Sequence, residues 1–220
     1  MFIGHYALGL GAKKVSPKPS LGTYIMAVSF LDLLWPLFLL LGIERVHIMP
    51  AAASPFERLE FIYYPYTHSL LMTVVWATLF AGVYYIIRRD SRVALLLWFG
   101  VASHWALDFI VHRPDLPLTP GSGVLVGLGV WDSAQATLII EGVMFAAGIY
   151  FYLRATRAKD KTGIFAFWGL IAFILLAYAS SLMGPPPPDT NMIGWFGLLG
   201  WLGVAWGYWA NRHRESRVNK

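Results

Sequence analysis

Six stretches of about twenty apolar residues, separated by short polar or Pro/Gly-rich segments, constrain this chain more than any other feature. They run over Leu21 to Ile43, Phe61 to Ile87, Val93 to His112, Trp131 to Leu153, Gly163 to Met183 and Met192 to Ala210. Each matches the length an α-helix needs to cross a hydrocarbon core of about 30 Å. Composition agrees: 57% of residues are hydrophobic and 13% charged, whereas a soluble domain carries about 25% charged residues. The expected fold is therefore all-α, one polytopic membrane bundle over residues 1–220. Residues 1–12, MFIGHYALGLGA, are too short to span and read as a half-helix. Two placements of it stay open: folded back into the bundle, or lying in the headgroup region. It lacks a basic segment before its apolar run, so no cleavable signal is expected.

The basic residues set an expected orientation. Fourteen of the seventeen Lys and Arg fall in residues 13–18, 88–92, 154–161 and 212–220, while the alternate loops hold only Arg45, Arg58 and Arg113. Such alternation fits six spans with a cytoplasmic C-terminus in a bacterial or archaeal inner membrane. The net charge of +5 then reports topology and contact with anionic lipid headgroups, and no nucleic-acid partner is expected. Cysteine is absent, which excludes disulfides and thiolate metal sites and leaves imidazole and carboxylate as metal ligands.

The third stretch carries the chemistry. In SHWALDFIVH, His104, Asp108 and His112 follow the pattern His-x3-Asp-x3-His, one helical turn apart on one face. A single His on an apolar helix is ordinarily a packed core residue. Three ionisable groups in register within a membrane segment mark a functional site. Other polar groups fall at comparable depths. Asp32 and His104 each lie about 16 Å from the basic end of their spans, Glu141 about 18 Å, Asp108 about 22 Å, and His112 and His68 about 28 Å. His5 rises about 12 Å if its half-helix folds inward. The groups do not share one plane, so one site or two adjacent sites fit equally. Asp32, His68, His104 and Asp108 suit one metal ion, with Asp108 bridging to a second ion held with His5. His112 serves a further site or supports the first.

Several nearby residues have plainer readings beside functional ones. Glu141 is either a helix–helix hydrogen-bonding group or a general base. Asp132 reads as a helix cap, and Thr67 and Ser69 as partners of His68 or helix-start residues. Arg113 reads as an anion clamp or a headgroup contact. His47 and His213 read as solvated. HExxH, GxSxG and phosphate-loop motifs are absent, as are the paired histidine clusters of membrane di-iron enzymes.

THSL at 67–70, SHWALD at 103–108, the early His5 and the Asp on the first span together resemble the YdjM-like, LexA-regulated family of membrane-bound metal-dependent hydrolases. That family is grouped with zinc-dependent phospholipase C and single-strand nucleases, helical enzymes that hold a cluster of zinc ions. The resemblance covers about residues 1–118. It implies that Asp32, His68, His104 and Asp108 hold one zinc, that His5 and Asp108 share a second with the chain's amino end, and that His112 belongs to a third. The relatives' later His-x3-Asp pair has no counterpart, and Glu141 or Asp132 would have to substitute.

The expectation is thus a membrane-embedded hydrolase holding one to three divalent ions, most simply zinc. Its substrate would be an ester or phosphoester of a lipid-like molecule, with Asp32 or Glu141 as general base. The rival is a proton- or metal-ion-coupled transporter using the same stripe. A third reading is a scaffold in which the stripe only specifies helix packing.

Overall fold

The structure, a computed structural model, describes residues 1–50, 54–121 and 123–217. Lys220, one of the basic tail residues, lies outside them. Besides two short 3-10 turns at Pro55–Glu57 and Val130–Asp132, the described residues form α-helices and β-strands in the following order. Helices α1 (Ile3–Val15), α2 (Leu21–Val28) and α3 (Phe30–Leu40) lead to strands β1 (Arg45–Ile48) and β2 (Leu59–Tyr63). Then come the single turn α4 (Pro65–His68) and the long helices α5 (Leu70–Arg88) and α6 (Ser91–Val111). Two short strands, β3 (Leu116–Pro117) and β4 (Leu125–Val126), precede α7 (Ala134–Ala155). The chain closes with β5 (Thr156–Ala158), α8 (Lys161–Met183), α9 (Thr190–Gly197), α10 (Gly200–Arg212) and β6 (Arg214–Ser216).

Four helices, α5 to α8, are each long and apolar enough to cross a membrane, and the bent pair α2–α3 makes a fifth if counted as one span. Ser69, Asp90, Ser133 and Asp160 cap the four long ones, each accepting a backbone N–H from the residue three positions on. Large apolar side chains stand exposed along them, among them Leu79, Val83, Ile86, Phe99, Ile139, Val143 and Leu176. A surface of that kind suits lipid contact.

The structure departs from six continuous spans in three places. The first stretch breaks at Ser29, where α2 and α3 meet at 58°. The second stretch becomes continuously helical only at Leu70, after the single turn α4. Leu59–Tyr63 pairs antiparallel with β1 instead, as aromatic and β-branched residues favour, and Pro65 disfavours a helical conformation at Tyr64 before it. The sixth stretch divides into α9 and α10. Glycines at 194, 197, 200, 203 and 207 lower its helix propensity by about 1 kcal/mol each. Those glycines let its helices pack closely: a Cβ on Gly207 would lie 2.9 Å from the Gly22 Cα, and one on Gly197 would lie 2.5 Å from the Pro36 ring.

Helix α1 settles the placement left open by sequence. It is buried inside the bundle, with Ile3, Gly4, His5, Ala7, Gly9, Leu10 and Lys13 all shielded. Its main partner is α7, whose Gly148 backs directly onto the Ala7 backbone. A buried Lys13 closes its far end, where Nζ donates to the carbonyls of Pro17 and Pro19 and to Asn211 Oδ1.

The four basic segments converge on one end of the bundle. Lys18 pairs with Asp90 at 2.6 Å, Lys13 reaches Asn211, and β5 pairs antiparallel with β6. An apolar cluster of Tyr24, Ala27, Leu31, Ala77, Val93, Leu97 and Val101 sits above that end. A second cluster, containing Trp35, Leu39, Tyr64 and Leu116, lies toward the other end beneath β1 and β2. Helix α6 passes from the first cluster to the second, and His104 and Asp108 lie on the way.

Two predictions follow from this packing. Gly148→Ala places a Cβ 2.5 Å from the Ala7 carbonyl oxygen, so it should lower stability by about 1–3 kcal/mol, read as a drop in the thermal unfolding midpoint in detergent. Asp90 caps α6 and pairs with Lys18, whose hydrogen bond holds its carboxyl below the ordinary 3.8. Asn caps as well as Asp, so Asp90→Asn removes chiefly the charge. The wild type should be the more stable above pH 3.8, with the gap closing as pH falls through the lowered pKa. A gap that persists in acid would contradict the assignment.

Candidate metal centre

The break at Ser29 builds the site from two directions. It ends the hydrogen bonding of α2 so that the Val28 carbonyl is left to accept from His104 Nδ1 at 2.8 Å. It also places Asp32 in the first turn of α3, where the positive end of the helix dipole favours a carboxylate. From α6, His104 and Asp108 project one turn apart toward the same point. His68 arrives from the single turn α4, held between Pro65 and the Ser69 cap of α5. His5 comes from the buried α1, and its ring lies parallel to that of His104 with centroids 3.7 Å apart.

The five side chains expected to bind metal from His5 to Asp108 are therefore gathered. Two overlapping groups bring ligand atoms within 4.8 Å of one another: His5, Asp32 and His104, and His68, His104 and Asp108. His104 Nε2 lies 3.2 Å from Asp108 Oδ2 and 3.5 Å from Asp32 Oδ1. His68 Nε2 lies 3.4 Å from Asp32 Oδ1 and 4.0 Å from Asp108 Oδ2. Ligand bonds of about 2.0–2.1 Å around a tetrahedral zinc put neighbouring donor atoms ~3.3–3.4 Å apart. Three of the four separations fall within about 0.2 Å of that edge, and the fourth exceeds it.

Protonation strengthens the case. With Nδ1–H directed at the Val28 carbonyl, the neutral ring of His104 would present a lone pair at Nε2. That buried nitrogen has no hydrogen-bond partner although two carboxylates adjoin it. Lone pairs converging on one point in a buried space are the arrangement a cation resolves.

Asp108 faces two ways. Its Oδ2 adjoins His104 and His68. Its Oδ1 accepts from the Met1 amino group and lies 3.1 Å from His5 Nε2. A single carboxylate thus joins two donor sets. Its side chain is 2% exposed and that of His104 0%, while that of Asp32 is 48% exposed. The centre is walled by α1, α4 and α6 and opens along the face of α3 that carries Asp32.

His112 does not join these groups among the described residues. It lies about 12 Å beyond His104 along the helix axis, at the end of α6. There its Nδ1 meets Asp115 Oδ1 at 2.9 Å and its ring packs on Trp131, Phe61 and Tyr64. Glu141 also stands apart from the two groups. It is buried on α7, where Oε2 accepts from the Gly4 backbone at 3.1 Å and so closes the amino end of α1. Asp132 does not cap α7, a task done by Ser133. Arg113 pairs with Glu57 at 2.6 Å and lies 3.7 Å from Asp132. His47 is exposed beside Glu60, and His213 is half-buried against Asp160.

Sequence reasoning passed over Glu44. It falls in the polar loop after α3, yet it is 1% exposed. Its Oε1 accepts from the backbone N–H groups of Tyr66 and Thr67, each at 2.8 Å, and its Oε2 from the Thr67 hydroxyl at 2.6 Å. The Thr67 oxygen in turn contacts His68 Nδ1 at 2.7 Å. A lone Glu in a Pro-containing loop carries no signal for this, although the buried THS turn does.

Comparisons with protein-family models, with curated proteins and with solved structures give no match. The arrangement of His5, Asp32, His68, His104 and Asp108 rests on the chain's own geometry.

The centre makes a direct prediction. Metal content of the detergent-purified protein, measured by mass spectrometry, should be at least one equivalent, and Asp108→Ala should lose it while remaining folded. Equal metal in both proteins would remove Asp108 from the site.

Proposed function

We propose that this chain is a membrane-embedded, metal-dependent hydrolase that binds zinc and cleaves an ester or phosphoester of a lipid-like substrate. The observation that carries the reading is the convergence of Asp32, His68, His104 and Asp108 at separations close to a tetrahedron's edges, with lone pairs turned inward. The donor set of neutral imidazole and carboxylate is that of catalytic zinc. The resemblance of THSL and SHWALD to the YdjM-like metal-dependent hydrolases points the same way.

When bound, the metal supplies Lewis acidity to a carbonyl or phosphoryl oxygen and lowers the pKa of water. The chain's residues do the rest. His104 and His68 would hold the ion through Nε2, each ring oriented by the partner of its Nδ1, the Val28 carbonyl and the Thr67 hydroxyl. Asp108 contributes its two oxygens to two sides of the centre. Asp32 turns Oδ1 to His68 and His104, and its other oxygen, at the open side, is the atom assigned to accept a proton there. Glu141 positions α1 and with it His5. Burial on the other three sides keeps bulk water from the reacting atoms.

The surroundings fit an amphiphilic substrate. Asp32 lies in an apolar stretch, FLDLLWPLFLL, which also leaves Leu37 exposed. A substrate with an acyl tail can reach the carboxylate without crossing a polar vestibule. Under the positive-inside rule, the basic segments gathered at one end of the bundle support a cytoplasmic C-terminus.

The test is turnover of chromogenic phosphoesters and lipid esters by the purified protein. Chelator should abolish turnover and added zinc restore it; Asp32→Asn should leave a stable protein with turnover near background, and His104→Ala should lose turnover and stability together, because it also strips the Val28 carbonyl of its donor. Proton or metal flux across liposomes, with no turnover of any ester, would favour the transporter over the enzyme.

A further inference from the structure

We infer that Glu44 is a positioning residue that selects the tautomer of neutral His68, acting through the Thr67 hydroxyl. The inference rests on the metal-centre reading, and it concerns a step that can be observed with or without metal.

The argument follows the hydrogens. Both oxygens of the buried Glu44 are engaged: Oε1 by two backbone N–H groups, Oε2 by the Thr67 hydroxyl. As a carboxylate, Glu44 has only lone pairs to offer. The single Thr67 hydroxyl hydrogen is therefore committed to Glu44. Its oxygen then has only lone pairs left for His68 Nδ1, 2.7 Å away, so the hydrogen between them must belong to Nδ1. The neutral imidazole carries one ring hydrogen. With it on Nδ1, Nε2 is bare and faces Asp32 Oδ1 at 3.4 Å. That is the form a metal ion requires.

Replacing the carboxylate with an amide reverses the chain of donors. In Glu44→Gln, the two backbone N–H groups of Tyr66 and Thr67 hold the amide oxygen in the Oε1 position, since an NH₂ group there would face two donors. The NH₂ group then points at Thr67 and donates to its oxygen. The Thr67 hydrogen must turn to His68 Nδ1, which moves the ring hydrogen to Nε2. There it can bond Asp32 in the absence of metal, so the fold keeps its contacts while the ligand is lost. Thr67→Val removes the acceptor and leaves the ring unspecified, whereas Thr67→Ser keeps it.

Two measurements test this. The first is ¹⁵N NMR of chelator-treated protein labelled at histidine, with His68→Gln identifying the resonances. Wild type and Thr67→Ser should show the hydrogen of His68 on Nδ1, and Glu44→Gln should show it on Nε2. The second is zinc affinity by competition with a chromogenic chelator. Glu44→Gln and Thr67→Val should bind about 10–100-fold more weakly than wild type, with Thr67→Ser restored to within about threefold. A His68 hydrogen on Nε2 in the wild type, or one left on Nδ1 in Glu44→Gln, overturns the inference whatever the protein does with zinc. Absence of zinc binding in a wild type that shows the expected ring form would sink the metal centre and leave the relay standing.

Discussion

A backbone carbonyl within a membrane must find a donor, and the bond from His104 to Val28 answers that need while it builds the site. In an unbroken first span the Val28 oxygen would be consumed by the helix. The break at Ser29 leaves it without a helical partner inside an apolar bundle, where an unsatisfied group costs several kcal/mol. His104 supplies the hydrogen and is thereby fixed in both ring orientation and tautomer. The same break turns α3 by 58°, so that Asp32 meets His104 and His68 from the opposite side. Helix geometry and ligand geometry here are one problem with one solution.

The remaining elements hold that solution in place. Helix α1 fills the interior and brings His5 and the Met1 amino group to Asp108. Its apolar residues Ile3, Ala7 and Leu10 share a core with Phe145, Phe167, Leu170 and Ile174 of α7 and α8. The strands β1 and β2, with the loop that carries Glu44, cover the end from which His68 enters. His104 is oriented by the Val28 carbonyl, His68 by Thr67, and Glu141 by the Gly4 backbone. Such enclosure turns flexible side chains into donors of fixed direction.

Much of this was legible in the residues themselves. Apolar length identified the long helices, although the capping residues Asp90, Ser133 and Asp160 were not recognised as their starts. The i, i+4 spacing of His104 and Asp108 placed both on one face. The break at Ser29 left no trace, because a serine in an apolar run is compatible with an intact helix. The strand at Leu59–Tyr63 was hidden inside a run apolar enough to pass for a span, although Pro65 marked its end. His112 shares the stripe but lies another turn along. Spacing on a helix gives the face and not the distance from a partner on another chain segment. Glu44 was missed for a related reason: its value comes from a turn more than twenty residues away.

The burial of α1 has a consequence for how the protein is assembled. At thirteen residues, about 20 Å, it is too short to insert as a span by itself. Its closest partner, α7, is made more than a hundred residues later. Until α7 exists, the amino end of α1 has no Glu141 to meet it, and Ala7 has no Gly148 to rest against. Helix α1 is therefore synthesised well before the helix it packs on. The contacts of His5 and Met1 with Asp108 join chain segments about a hundred residues apart, so they depend on long-range packing that local structure cannot supply.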